Sequence, residues 1–85
     1  MAEIEIGVVK HFFDRVGVVA IEMTNDELNV GDTIRIKGHT TDVTVTVQSM
    51  QIEHQSVNNV KKGDSAGIKI TDKVRTHDKV YRIIP

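Results

Sequence analysis

Apolar and polar residues alternate along most of this chain, and the alternation predicts strands. Ile4, Ile6 and Val8 interleave with Glu3, Glu5 and Gly7, the two-residue period of a half-buried strand. Glutamates on the outer face also discourage pairing at an exposed edge. Lys10–Arg15, KHFFDR, interrupts the pattern and reads as a loop. One of its aromatics, Phe12 or Phe13, should plug the end of the core, because adjacent residues of a regular strand cannot both point inward. Val16–Met23, VGVVAIEM, returns to β character with Val19, Ile21 and Met23 on one face and Glu22 on the other. Gly17 within it suggests a bulge or a close backbone approach. Ile34 and Ile36 face inward from Thr33–Lys37, and Val43, Val45 and Val47 alternate with Thr44, Thr46 and Gln48. Beyond Gln48 the apolar positions shift by one residue, to Met50 and Ile52, which predicts a β-bulge near Gln48–Ser49. Val57–Lys62 reads as a short helical turn or an open loop, and Asp72–Asp78 as a charged loop. Between them Ala66, Ile68 and Ile70 form another inward set, and Lys79–Ile84 is the closing strand.

Two turn segments punctuate these strands. In LNVGDTIRIK (Leu28–Lys37) and VQSMQIEHQSVNNVKKGDSAGIKI (Val47–Ile70), a Gly-Asp pair leads directly into a β-type run. A tight turn needs one residue at positive φ, which glycine supplies at little cost. The aspartate can accept hydrogen bonds from backbone amides that the turn leaves unpaired. About six strands, with no convincing helix, give an all-β fold. A small closed barrel suits the glycines and the predicted bulge better than a sandwich does.

With 85 residues, 39 % of them hydrophobic, residues 1–85 are read as a single domain with one modest core. No apolar run approaches membrane-helix length, and the N-terminus lacks the pattern of a secretory signal. A cytoplasmic setting without a membrane is therefore expected. The absence of cysteine removes disulfides and thiolate ligands. The net charge is −1, with a basic excess after residue 60 and an acidic excess before it. The four histidines, His11, His39, His54 and His77, match no local metal-binding spacing. No serine sits in a nucleophile elbow, and GDSAG leads into a strand rather than a helix, so it is no phosphate loop. The expectation is a non-enzymatic binding module with no metal and no cofactor.

RVGVVAIEM, LNVGDTIRIKG and VQSMQIEHQSVNNVKKGDSAGIKI, followed by VRTHDKVYRI, resemble the second domain of elongation factor Tu and related translational GTPases. The resemblance implies a six-stranded, closed Greek-key-type barrel. No GTP is expected, because the family's nucleotide-binding motifs belong to a separate domain. In the family, the segment matching Ser49–Gln55 cradles the tRNA end. Gln51 stands where bacterial carriers have glutamate, and His54 where they have arginine. A tRNA or rRNA surface would then comprise Gln51, Glu53, His54 and Gln55 with Lys61, Lys62, Lys73 and Arg75. Similar barrels also form the C-terminal domain of collagenase-like peptidases, where they are not catalytic. The alternative is accordingly a protein-interaction barrel, serving an enzyme of that kind or a second copy of itself, with Phe12, Phe13 and Arg15 at the interface.

Overall fold

A computed structural model describes residues 2–85. The chain is all-β, with ten strands among the described residues: β1 (Ala2–Phe13), β2 (Val18–Met23), β3 (Glu27–Asn29), β4 (Thr33–Lys37), β5 (Asp42–Thr46), β6 (Met50–Ile52), β7 (Gln55–Val57), β8 (Asn59–Lys61), β9 (Ser65–Lys69) and β10 (Lys79–Ile84). Eight of them form one antiparallel sheet in the order β5-β4-β10-β1-β2-β9-β6-β7, and β3 pairs with β8 in a separate ribbon. The inward sets read from alternation make up one core, except that Val9 replaces Val8 in it, because the register shift between Glu5 and Gly7 breaks the alternation of the first strand. Ile6, Val19, Ile21, Ile34, Ile36, Ile68 and Val80 are fully buried, and Leu28 and Val60 of the ribbon join them.

The expected six-stranded closed barrel is not formed. The end strands β5 and β7 are not hydrogen-bonded to one another, so the main sheet keeps two free edges. The phase shift at Gln48–Ser49 explains part of this. It is not a bulge inside one strand; the chain leaves β4 there and crosses to pair with β9 and β7. A bulge keeps the same neighbours on both sides of the extra residue, whereas here the neighbours change. True register shifts lie in β1, between Glu5 and Gly7 and between Val9 and His11. They let a 12-residue strand bend around the core while pairing with β10 early and β2 late.

Other expectations are corrected in the same way. KHFFDR is not a loop through its length, since β1 continues to Phe13. Val57–Lys62 is neither helical nor open; it contributes to β7 and β8. Gly17 lies in the β1–β2 turn with φ +67°, so it supplies a turn rather than a bulge. The close backbone approach expected there is real, because Ile70 N–H donates to the Gly17 carbonyl at 2.8 Å.

The turn device occurs three times, not twice. Asp32 Oδ2 accepts from Asn29 N–H at 2.9 Å, Asp64 Oδ2 from Lys61 N–H at 3.0 Å, and Asp78 Oδ2 from Arg75 N–H at 2.8 Å. The third copy falls in the segment read as a charged loop, and His77 occupies the place of Gly31 and Gly63, with φ +77° against +99° and +95°. Each turn docks on a buried residue through the same pair of backbone bonds. Gly31 N–H donates to Val47 O and Val47 N–H to Asp32 O; Gly63 and Asp64 exchange the same bonds with Met23, and His77 and Asp78 with Val9. Three repeats of one local structure thus hold the ends of the sheet onto a single core.

A candidate protein-docking groove

The outer face of the sheet follows from the register. Because Val19 and Ile21 point inward, Val18 and Ala20 point outward, and pairing sets Phe13 beside Val18, Ala20 beside Gly67, and Gly67 beside Gln51. Ala20 and Gly67 are too small to cover the sheet between the larger side chains of β1 and β6. The result is a shallow groove of about 240 Å³ floored by Val18, Ala20, Ala66 and Gly67. Phe13 forms one wall, and Gln51, Glu53 and His54 form the other. Phe13 is 49 % exposed and Val16, in the adjoining turn, 62 %. The His11 ring tilts against Phe13 with centroids 4.4 Å apart, which holds the wall upright. Phe12 packs against the core instead, so one aromatic of the pair closes the interior and the other faces out.

The opposite wall is a tight hairpin. Ile52 pairs with Gln55, leaving Glu53 and His54 as a two-residue turn with φ +50° and +66°. Both central residues at positive φ is the geometry that favours the right-handed twist of a hairpin, normally supplied by Asn-Gly. Two long polar side chains are therefore presented at the groove rim from a strained backbone.

The residues proposed from sequence divide into separate groups. Phe13, Gln51, Glu53 and His54 line one groove, although the sequence alone places Phe13 on a different surface from the other three. Gln55 is exposed at the start of β7, and Arg15 is exposed in the β1–β2 turn. Lys61 and Lys62 belong to the second Gly-Asp turn, Lys73 to the exposed segment after β9, and none of these lines the groove. Arg75 borders a different hollow with Lys37, His39, His77 and Lys79. Alternation read on its outward phase could have revealed Val18, Ala20 and Gly67, since apolar or missing side chains there leave a solvent face uncovered. The only resolved shifts of acid–base equilibrium among the described residues lie elsewhere. Hydrogen bonds from Arg35 lower the Asp42 carboxyl below its usual value, and Asp42 and Glu3 together hold Arg35 firmly protonated. Among the described residues no cluster of His, Cys, Asp and Glu has the arrangement of a metal site, and no helix is long and apolar enough to cross a membrane.

With the groove defined, the relatives are informative. Over 94 % of this chain the structure superposes on the C-terminal domain of a Geobacillus thermoleovorans protein described as a U32 peptidase, with a TM-score of 0.86 and 12 % identity, covering 92 % of that domain. The two share one fold. In sequence, the chain is 48 % identical over 80 residues to an uncharacterized protease of Methanocaldococcus jannaschii and 38 % identical over 81 residues to a collagenase of Porphyromonas gingivalis. These matches take in 93 % and 94 % of this chain but only 19 % and 20 % of those proteins, so the chain spans about a fifth of their length. No protein-family model matches it.

These findings overturn the resemblance to elongation factor Tu and the translation role drawn from it. The motifs behind it were Gly-Asp turns and small residues in strands, which specify local backbone geometry and recur wherever a compact β fold needs them. A tRNA or rRNA partner loses its support with the resemblance. The structure adds a reason, because the polar rim Gln51–His54 sits over an apolar groove away from Lys61, Lys62, Lys73 and Arg75.

Proposed function

We propose that the chain is a single, non-catalytic protein-docking domain, residues 1–85, of the kind carried by collagenase-like proteases, and that it binds the remainder of such a protein through the Phe13 groove. The observation that carries this reading is the combination of a half-exposed phenylalanine with a floor of small residues. A patch of this kind is unfavourable in water and is suited to receiving an apolar side chain from a partner. The relatives support it, since they are named for proteolysis and about four-fifths of their length lies outside the part that matches this chain. Gln51, Glu53 and His54 form the polar rim of the contact, with Arg15 beside the turn.

The test is an amide-shift titration of labelled protein with the Methanocaldococcus relative lacking its matching segment, after circular dichroism has shown that remainder to be folded. Saturable shifts at Phe13, Val16, Val18, Ala20 and Gly67 are expected, and Ala20→Glu should abolish them. Shifts confined to other surfaces, or none at all, would sink the proposal. Concentration-dependent shifts at the same residues without any partner would assign the groove to a second copy instead. In a parallel assay the purified chain should leave casein intact, and hydrolysis that tracks the protein would refute the non-catalytic role.

A further inference from the structure

The free edge of β5 and the end of β9 face one cleft of about 590 Å³. Thr44, Val45 and Thr46 line one side, Lys69 to Asp72 the other, and Gln48 and Ser49, where the chain crosses between them, close one end. Both sides carry unused backbone. β5 pairs with β4 alone, and β9 loses β6 after Ile68, so Lys69 has a ladder partner only on β2. The other edge of the sheet, β7, is only three residues long, and shortness protects an edge. β5 is longer, and after Asp42 at its start it carries no charge and no proline and is made of β-branched residues, so most of this edge lacks protection.

We propose that this cleft receives one extended, unstructured polypeptide segment, which adds to the β5 edge as a further strand and closes the sheet toward β9. The occupant must offer hydrogen-bonding backbone on both of its sides. A second copy of this chain cannot do so, because each strand it contains is already paired on at least one side. An uncharged segment is favoured, because the β5 wall beyond Asp42 is uncharged, Asp42 itself is engaged by Arg35, and the opposite wall carries one charge of each sign, Lys69 and Asp72. Backbone pairing supplies affinity with little demand on sequence, and side chains pointing alternately up and down supply what selectivity there is. The inference concerns a surface separate from the Phe13 groove and stands or falls independently of it.

The probe is the acetylated, amidated peptide Thr-Val-Thr-Val-Thr, as long as the five-residue β5 and uncharged, titrated into the labelled protein. Expected are saturable amide shifts at Val43–Thr46 and Lys69–Asp72, with slower hydrogen exchange at those β5 amides that point to the free edge. Peptides N-methylated at alternate residues lose donors on one side only, and methylating the side that meets β5 should weaken binding by about tenfold or more. No shifts up to about 5 mM peptide would overturn the proposal, since binding weaker than that is no recognition. Shifts confined to the Phe13 groove, or affinity indifferent to N-methylation of either set, would overturn it too. Concentration-dependent shifts along β5 without peptide would replace the segment with a second copy.

Discussion

Replacing the aspartate of each of the three turns with alanine separates the worth of one hydrogen bond by its surroundings. The local geometry is nearly constant, with an Asp Oδ2 accepting from the amide three residues earlier at 2.8–3.0 Å. Burial differs. Asp78 is 6 % exposed and its carboxylate lies against Gly38, whereas Asp32 and Asp64 are half-buried; the bonds of Asp32 and Asp78 are part-buried and that of Asp64 is exposed. In Asp64→Ala, water replaces the carboxylate at the Lys61 amide, so the loss should be about 0.5–1 kcal/mol. In Asp78→Ala, the Arg75 amide keeps no partner in a part-buried site, and leaving a group unsatisfied costs about 1–3 kcal/mol. Vacating the space beside Gly38 adds a packing loss, which places Asp78→Ala near the top of that range at about 3 kcal/mol. Asp32→Ala should fall between, at about 1–1.5 kcal/mol. In a domain of this size each kcal/mol lowers Tm by about 4–8 °C, so thermal melts and urea titrations both resolve the order. Asn at each position can still accept through its carbonyl oxygen and should recover part of the loss. Equal losses at all three sites, or the largest loss at Asp64, would refute the reasoning and make the aspartates interchangeable turn formers.

Three further outcomes follow from other contacts. Gly38→Ala should destabilise by about 1–3 kcal/mol in urea unfolding, because its Cβ would collide with the Asp78 carboxylate, and Asp78→Ala should relieve that cost in the double variant. His77→Gly should leave stability unchanged or raise it by up to about 1 kcal/mol, since it removes left-handed strain from a non-glycine residue while adding chain entropy to the unfolded state. Asp42 ionises more readily when folded than its ordinary value of 3.8, so its pairing with Arg35 contributes fully above that pH and is lost as pH falls through the lower folded value. Asp42→Asn should therefore reduce stability at pH 7 by an amount that stays constant down to about pH 5 and shrinks in more acid solution, read by urea midpoints across pH. A deficit that grew on acidification would contradict the sign.

Alternation by itself determined which side chains of this protein face inward. Ile4, Ile6, Val19–Met23, Ile34–Ile36 and Ala66–Ile70 are legible because the two-residue period is a property of each strand alone, whereas Val8 is misread because the register shift between Glu5 and Gly7 puts Val9 in the core instead. The Gly-Asp turns are legible for a similar reason, since positive φ and an aspartate cap are decided within four residues. Partner choice is not local. Val43–Ile52 has the same pattern whether it runs as one bulged strand or splits between β4 and β9, and only the closure of the whole sheet decides for the split. The third turn was hidden because His77 takes a backbone conformation that glycine usually marks, and docking on Val9 helps to hold it there. The candidate groove likewise exists only because β2 and β9 bring Phe13, from residue 13, alongside Gln51, from residue 51. Short-range chemistry wrote the faces and turns of this chain, and long-range pairing entropy and packing decided which strands became neighbours.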